Sequence, residues 1–525
     1  MNILFNIFRC TFTVITASAL LISCSQDHPT SIDTASPQPS SEPAQVLSLA
    51  RSDLPPYQMV MIFPSGNVPK DLPDVEQAIN DYLLKKINAT IEIRPIDWSV
   101  WQDKTNLMFT SNEQFDLMFT SSWYYLGQEV TKQQIIPLDK LLKEYGQGIT
   151  STLEPAYLES GRVKGSIYGV VTNKEFASTK GIVMRKDLVD KYHIDLSPIH
   201  SLEDFSTVLK TIKDNEPDLI PLQVKYDRSP LTVLLGYGEF DMLDTTGGPG
   251  VLRRDSDDLK VINMYETEEY AHYAKLMHEW FQAGYINKDG SITRQDEFEA
   301  VKAGKAFAYA ESMKPGFDAQ ESRNTGYPMV TVELTKPYTT TGDTTSAMFA
   351  IPRTSKDPAR AMMFLNLLYS DPYLLNLLDW GIEGKHYVKK SDTIIDYPPG
   401  ETAKSIGYNL NLPWMFGNEF NSYIWASDDP KLWDKYRSFN QNAEISKALG
   451  FVFDPSGVKN EVIACNNVLL QYTGAINAGE FEPSQILPTF IKALHTAGAD
   501  KIISEKQRQL DEWAASRNRP PTQMR

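Results

Sequence analysis

The run from Met59 to Thr120 constrains the fold of this 525-residue chain more than any other stretch, because apolar segments of strand length alternate there with segments of helical period. Met59 to Phe63 reads as an apolar strand, and Ser65 to Lys70 as a polar turn. Leu72 to Ile87 reads as a helix with Val75, Ile79, Tyr82 and Leu83 on one stripe. A second strand spans Thr90 to Ile96, a helix follows near Trp101 to Thr110, and Phe115 to Thr120 is a third strand. This βαβαβ order predicts an α/β fold with a mostly parallel sheet covered on both faces. In open sheets of this kind ligands bind beyond the carboxyl ends of the strands, so residues just after each strand are the first candidates for a site.

The third strand runs straight into Ser121, Ser122, Trp123, Tyr124 and Tyr125. Two hydroxyls and three aromatics at a strand end suit a sugar, whose ring offers an apolar C–H face for stacking and a rim of hydroxyls for hydrogen bonds. The same aromatics would also serve as a plain cap on the sheet.

The first residues set the compartment. The apolar run Cys10 to Ile22 behind Arg9 is too short to span a bilayer and reads as part of a secretion signal, residues 1–23. Leu21-Ile22-Ser23-Cys24 resembles a bacterial lipobox, which implies a mature chain beginning at Cys24 with a lipid on its sulfur. Cys465 is then the single thiol of the folded body, so no intramolecular disulfide is possible. Residues 24–56 are rich in Ser and Pro, lack apolar periodicity and read as a disordered tether, roughly 30 Å from end to end. The body beyond it must rely on its core, and 42% hydrophobic residues over this length suffice for two or more lobes. A net charge of −16 argues against nucleic acid as a partner.

Catalytic and metal signatures are missing. No phosphate-cradling glycine loop or nucleophile elbow occurs, and His278-Glu279-Trp280 lacks the second histidine of a zinc helix. Asn287 to Ser291 imitates part of a calcium loop, but Tyr285 stands where the first ligand would be, so the segment reads as a turn. Neither a metal nor a cofactor is expected, and the chain does not read as an enzyme.

Several segments carry a resemblance. GSIYGVVTNKEF (165–176) and GIVMRKDLVDKY (181–192) resemble the interlobe crossing of family 1 extracellular solute-binding proteins, as do DYLLKKINATIEIRPIDW (81–98), FDLMFTSSWYY (115–125) and IIPLDKLLKEYG (135–146) before it. LGFVFDPSGVKNEV (449–462) and AGADKIISEKQRQLDEW (497–513) resemble the DUF3502 module that ends the LipO-like lipoprotein subfamily. This resemblance implies a two-lobed periplasmic-binding-protein-like fold of class II type with an α-helical C-terminal appendix. The implied lobes are 57–170 plus 312–370 and 171–311 plus 371–449, with the module at 450–525. It also implies a monomeric, lipid-anchored substrate-binding protein of an ABC importer, on the extracellular face of a Gram-positive cell membrane, working with permease subunits. The solute would be a mono- or oligosaccharide held between the lobes by hinge closure. A binding subunit that signals to a membrane kinase would share the fold, and a secreted glycoside-processing enzyme is the remaining alternative.

On that basis Tyr168 and Asn173 lie by the crossing, and Glu311 and Ser312, ending an apolar strand after Gly304, face the cleft at the return crossing; a surface acid is the other reading of Glu311. The GIEGKHY loop (381–387) after Trp380 resembles the family's, and it would bring Trp380, Glu383 and Tyr387 together as either a sugar platform or an interlobe brace. Within the aromatic run Leu410 to Trp433, Trp414 and Trp425 are further candidates. Asp357-Pro358 and Asp371-Pro372 read as helix starts. At the C-terminus, Val458, Val462, Cys465 and Leu469, then Ile486, Phe490 and Leu494, then Ile503, Lys506, Leu510 and Trp513 predict three helices.

Overall fold

The computed structural model describes residues 54–517, apart from residues 67, 125, 244–248 and 403–404 and the side chains of residues 99 and 124. The expected signal segment, Cys24, nearly all of the tether and Tyr125 therefore lie outside the described residues.

Nine principal strands organise the fold: β1 (Tyr57–Ser65), β2 (Ala89–Asp97), β3 (Leu117–Thr120), β4 (Val170–Val171), β5 (Thr179–Arg185), β6 (Ile220–Leu222), β7 (Ala306–Met313), β8 (Met329–Glu333) and β9 (Met348–Ala350). The first sheet has the order β2-β1-β3-β9-β4. β1 is parallel to β2 and β3, whereas β9 runs antiparallel to β3 and β4. The helices Leu72–Ile87 and Trp101–Thr110 form over the predicted ranges, and the first buries Val75, Ile79 and Leu83 against this sheet. The second sheet has the order β8-β5-β7-β6: β5 lies antiparallel between β8 and β7, and β6 joins the far side of β7 in parallel.

Each sheet has its own core. Met59, Phe63, Ile79, Phe119, Phe349 and Leu365 belong to the first, and Ile182, Phe205, Leu222, Tyr270, Trp280 and Phe307 to the second. The C-terminal helices Lys459–Asn477, Pro483–Ala497 and Ala499–Arg517 put Cys465, Phe490, Leu494, Ile502 and Leu510 into that second core. Among the described residues no helix is long and apolar enough to cross a membrane.

The expected lobe limits need two corrections. β8 pairs with β5 over five residues, so the chain is still in the second sheet well past residue 312 and re-enters the first only at β9. The helix Pro372–Trp380, expected in the second lobe, buries Leu374, Leu375 and Leu378 in the first core. The reason is local: Asp371, which caps this helix by accepting from Tyr373 N and Leu374 N, also accepts from Tyr82 Oη (2.6 Å) and pairs with Lys86 (3.3 Å) on helix Leu72–Ile87.

Candidate functional site

Register brings the site together. Ser65 of β1 pairs with Asp97 of β2, and Met348 of β9 pairs with both Thr120 of β3 and Val171 of β4. The chain segments after β2, β3 and β4 and just before β9 therefore meet at one edge of the first sheet, where ligands of open α/β sheets bind.

Three tryptophans gather at that edge. Trp98, directly after β2, stacks with Trp123 (ring centroids 5.8 Å apart, planes 25° apart) and with Trp414 (6.5 Å, 15°). Phe119 of β3 meets Trp98 and Trp414 edge-on at 6.2 and 6.4 Å, forming the floor of the row. Trp123 is 39% exposed, while Trp98 and Trp414 are half-buried. The Trp123 indole N–H donates to the Ser346 carbonyl (2.8 Å), which fixes the ring against the segment entering β9. Trp414 is delivered by a loop that docks on helix Pro358–Ser370, where Asn418 N donates to the Leu368 carbonyl (3.2 Å). Gly417 permits this docking: its φ is +51°, and a Cβ there would sit 2.2 Å from the Leu368 carbonyl oxygen.

Beside the tryptophans, the crossing segment 172–178 carries charge into the seam between the two cores. Asn173 donates through Nδ2 to Asn418 Oδ1 (2.9 Å), and Asn440 accepts from Phe176 N (2.8 Å) while donating to the Lys174 carbonyl (3.0 Å). The Glu175 carboxylate meets Lys174 Nζ at 3.3 Å and Lys314 Nζ at 3.1 Å, with all three side chains nearly enclosed. Burial alone would raise the Glu175 carboxyl, but the two ammonium groups outweigh it and hold it well below the usual range. Burial and then the charge of Glu175 push the neighbouring Glu419 carboxyl well above the usual range.

From the second sheet, Ser312 of β7 faces Lys180 of β5 in register. Lys180 Nζ donates to Ser178 Oγ (2.7 Å) and Ser312 Oγ (3.0 Å), and its burial lowers its pKa. Glu311 forms an ion pair with Arg228. Ser178 also pairs through its backbone with Tyr338 of the returning segment, at 3.0 and 3.1 Å, so the two crossings run side by side. A cavity of about 220 Å³ opens here, its lining polar at Lys174, Glu175, Ser178, Ser312, Lys314, Asp343 and Ser346 and apolar at Phe176, Met313 and Phe317. A shallow groove of about 560 Å³ between the helices Lys459–Asn477 and Pro483–Ala497 lies apart from these strand ends.

The predicted residues divide accordingly. Trp123, Ser122, Trp414, Asn173, Glu311 and Ser312 lie at or beside the seam; Ser121 is there too, fully buried. Tyr124 follows Trp123 in the same short 3-10 turn. Tyr168 packs half-buried against the first core. Trp380 and Tyr387 are corrected: they are 4% and 5% exposed in a separate cluster with Ile395 and Trp425, where Trp380 Nε1 donates to Ser422 Oγ (2.9 Å), so neither presents a face to a solute. Glu383 is exposed and pairs with Lys389 (3.2 Å). Sequence reasoning missed Trp98 as a candidate, although it follows β2 as Trp123 follows β3. It also missed Lys174, Lys314 and Glu419, which no short-range pattern connects. Among the described residues no group of His, Cys, Asp and Glu is placed to hold a metal ion.

Comparison with known proteins agrees with this architecture. The chain is 28% identical over 461 residues, 87% of its length and 91% of the relative's, to a carbohydrate ABC transporter substrate-binding protein of Streptococcus pneumoniae. It is 23% identical to lipoprotein LipO of Bacillus subtilis, over 62% of this chain and 66% of that one. The N-glycan transport solute binding protein (NgtS) of Streptococcus pneumoniae superimposes with a TM-score of 0.78 at 27% identity, covering 88% of this chain and all of that one. The same protein has been solved with Man1GlcNAc and with Man5GlcNAc, at TM-scores of 0.75 and 0.73. Residues 447–515 match a domain of unknown function, DUF3502. With two cores, a class II strand order, a polar seam between the sheets and a match of residues 66–374 to the model described as bacterial extracellular solute-binding protein, the chain belongs to that family.

Proposed function

We propose that this protein binds an oligosaccharide between its two lobes and presents it to the permease of an ABC importer, while a lipid on Cys24 holds it at the outer face of the cell membrane. The row of Trp98, Trp123 and Trp414 at the strand ends carries the reading, because indole faces match the C–H face of a pyranose. The flanking Lys, Glu, Ser and Asn side chains offer both donors and acceptors to sugar hydroxyls. The relatives that share the chain's architecture transport solutes, and one has been crystallised with glycans. The protein acts by binding and not by catalysis, with the paired crossings at Ser178 and Tyr338 as the hinge about which the lobes close.

The test is calorimetry of the protein with Man1GlcNAc and Man5GlcNAc, followed by chromatography of the recovered glycan. Saturable binding with the glycan returned intact is expected. Cleaved glycan would replace the binding role with an enzymatic one, and the absence of any binding would remove glycans of this type as ligands.

A further inference from the structure

Residues 447–515, matched to a domain of unknown function, do more than extend the second core. We infer that this module ties the two lobes together: its leading segment, residues 449–454, is rooted in the second core, bears on the hairpin 162–167 of the first, and so sets the angle at which the lobes stand. The inference rests on the reading of two lobes that move about their crossings.

The side chains of the segment divide between the lobes. Phe451 and Phe453, each 3% exposed, belong to the second core, whereas Val452 packs half-buried against the first. Successive side chains of an extended chain point to opposite sides, and Asp454, itself extended at φ −97° and ψ 105°, continues the alternation. Its Oδ2 lies 3.1 Å from Nζ of Lys164 on the first-lobe hairpin.

Both ends of this contact are held from behind. On the first lobe, Arg162 pairs with Ile167 and Val163 with Ser166, leaving Lys164 and Gly165 as a two-residue turn with φ of +50° and +90°. Turns with two positive φ values match the twist of a hairpin, so the tip that carries Lys164 is well defined. Val163 and Ile167 sit in the first core, and the Ile167 carbonyl accepts from Leu138 N (2.7 Å). On the module, Gln509 of the helix Ala499–Arg517 exchanges two hydrogen bonds with the Asp454 backbone, at 2.9 and 2.8 Å. Trp513 of the same helix meets Phe451 edge-on at 6.0 Å, and Arg517 donates to the Leu449 carbonyl (2.9 Å). The segment starts at the hinge, where Gly450 N donates to Thr341 Oγ1 (2.9 Å) on the strand of chain that follows Tyr338.

The strength of the contact suits a moving part. The Lys164 and Asp454 side chains are 48% and 37% exposed, and an ion pair that open adds little by itself. Together with one half-buried valine it biases the lobe angle without locking it.

The test needs no ligand. It uses the full chain with Cys10→Ser and Cys24→Ser, which leaves buried Cys465 as the one native thiol. Nitroxides at Lys104→Cys in the first lobe and Lys275→Cys in the second, both exposed positions, report the interlobe distance by pulsed dipolar spectroscopy. Lys164→Asn keeps the turn, because asparagine tolerates positive φ, and Val452→Ser removes the apolar contact while leaving Phe451 and Phe453 in place. The double variant should melt within a few degrees of the parent. Its population outside the parent's distance range should rise by about fivefold, the combined weight of an exposed ion pair and a half-buried aliphatic side chain. Gln509→Ala, which releases Asp454 from the C-terminal helix, should shift the distribution likewise. Distances unchanged in the double variant overturn the tie, and a change there without one in Gln509→Ala overturns that helix as its anchor. An unmoved parent distance with Man5GlcNAc bound by calorimetry would overturn closure on binding, and it is read apart from the glycan-free distances that decide the tie.

Discussion

Trp123 is the most exposed of the three tryptophans at the strand ends, 39% exposed, with its indole N–H held by the Ser346 carbonyl and one face against Trp98. Trp123→Ala should weaken glycan binding by about 1–3 kcal/mol in calorimetry while the melting temperature stays within a few degrees. Glu129, which accepts from Thr120 Oγ1 (2.6 Å) at the end of β3, has a different role. Burial raises its carboxyl from 4.5 to about 7, so the protonated form is the one the fold prefers. Its contribution to stability is fully present below about pH 4.5 and is lost as pH rises through 7, by up to about 3 kcal/mol at 1.36 kcal/mol per pH unit. Glu129→Gln keeps an acceptor for Thr120 without a charge. Its melting temperature should exceed that of the parent at pH 8, with the gap closing at pH 5; a gap independent of pH would show that Glu129 is not ionising in this range.

At the level of elements, Asp371 joins two helices through one carboxylate. Oδ1 caps the helix Pro372–Trp380, and Oδ2 holds Tyr82 and Lys86 on the helix Leu72–Ile87. Asp371→Ala removes the cap and leaves the Tyr82 hydroxyl to find another partner, which should cost about 1–3 kcal/mol in urea unfolding. Asp371→Asn retains cap geometry and should recover about half of that. The same logic explains why the Trp380 cluster is structural. Once this helix is fixed on the first core, its last residue falls against Trp425 and Ser422 and away from the seam.

At the level of the whole molecule, the C-terminal helices are part of the second core and not an ornament on it. Phe490 is fully buried between Tyr265 and Tyr472, so Phe490→Ala should destabilise the protein by about 3–5 kcal/mol, measured by denaturant unfolding. Closure about the crossings predicts that saturating glycan lowers the radius of gyration in solution X-ray scattering; an unchanged value would mean that binding occurs without lobe movement.

Much of this was determined by the sequence itself. Period and length fixed the helices Leu72–Ile87 and Trp101–Thr110, the first three strands and the three C-terminal helices, since these depend on local pattern and on which face is apolar. The strand-end rule also pointed to Trp123 directly. What needed tertiary structure was everything joined across long separations. Trp98 meets Trp414, Glu175 meets Lys314 and Glu419, and Trp380 turns inward, because sheet order and helix docking decide which strand ends become neighbours. Trp380 and Trp98 are the same residue type at the end of an element, and only packing made one a core side chain and left the other beside an open seam.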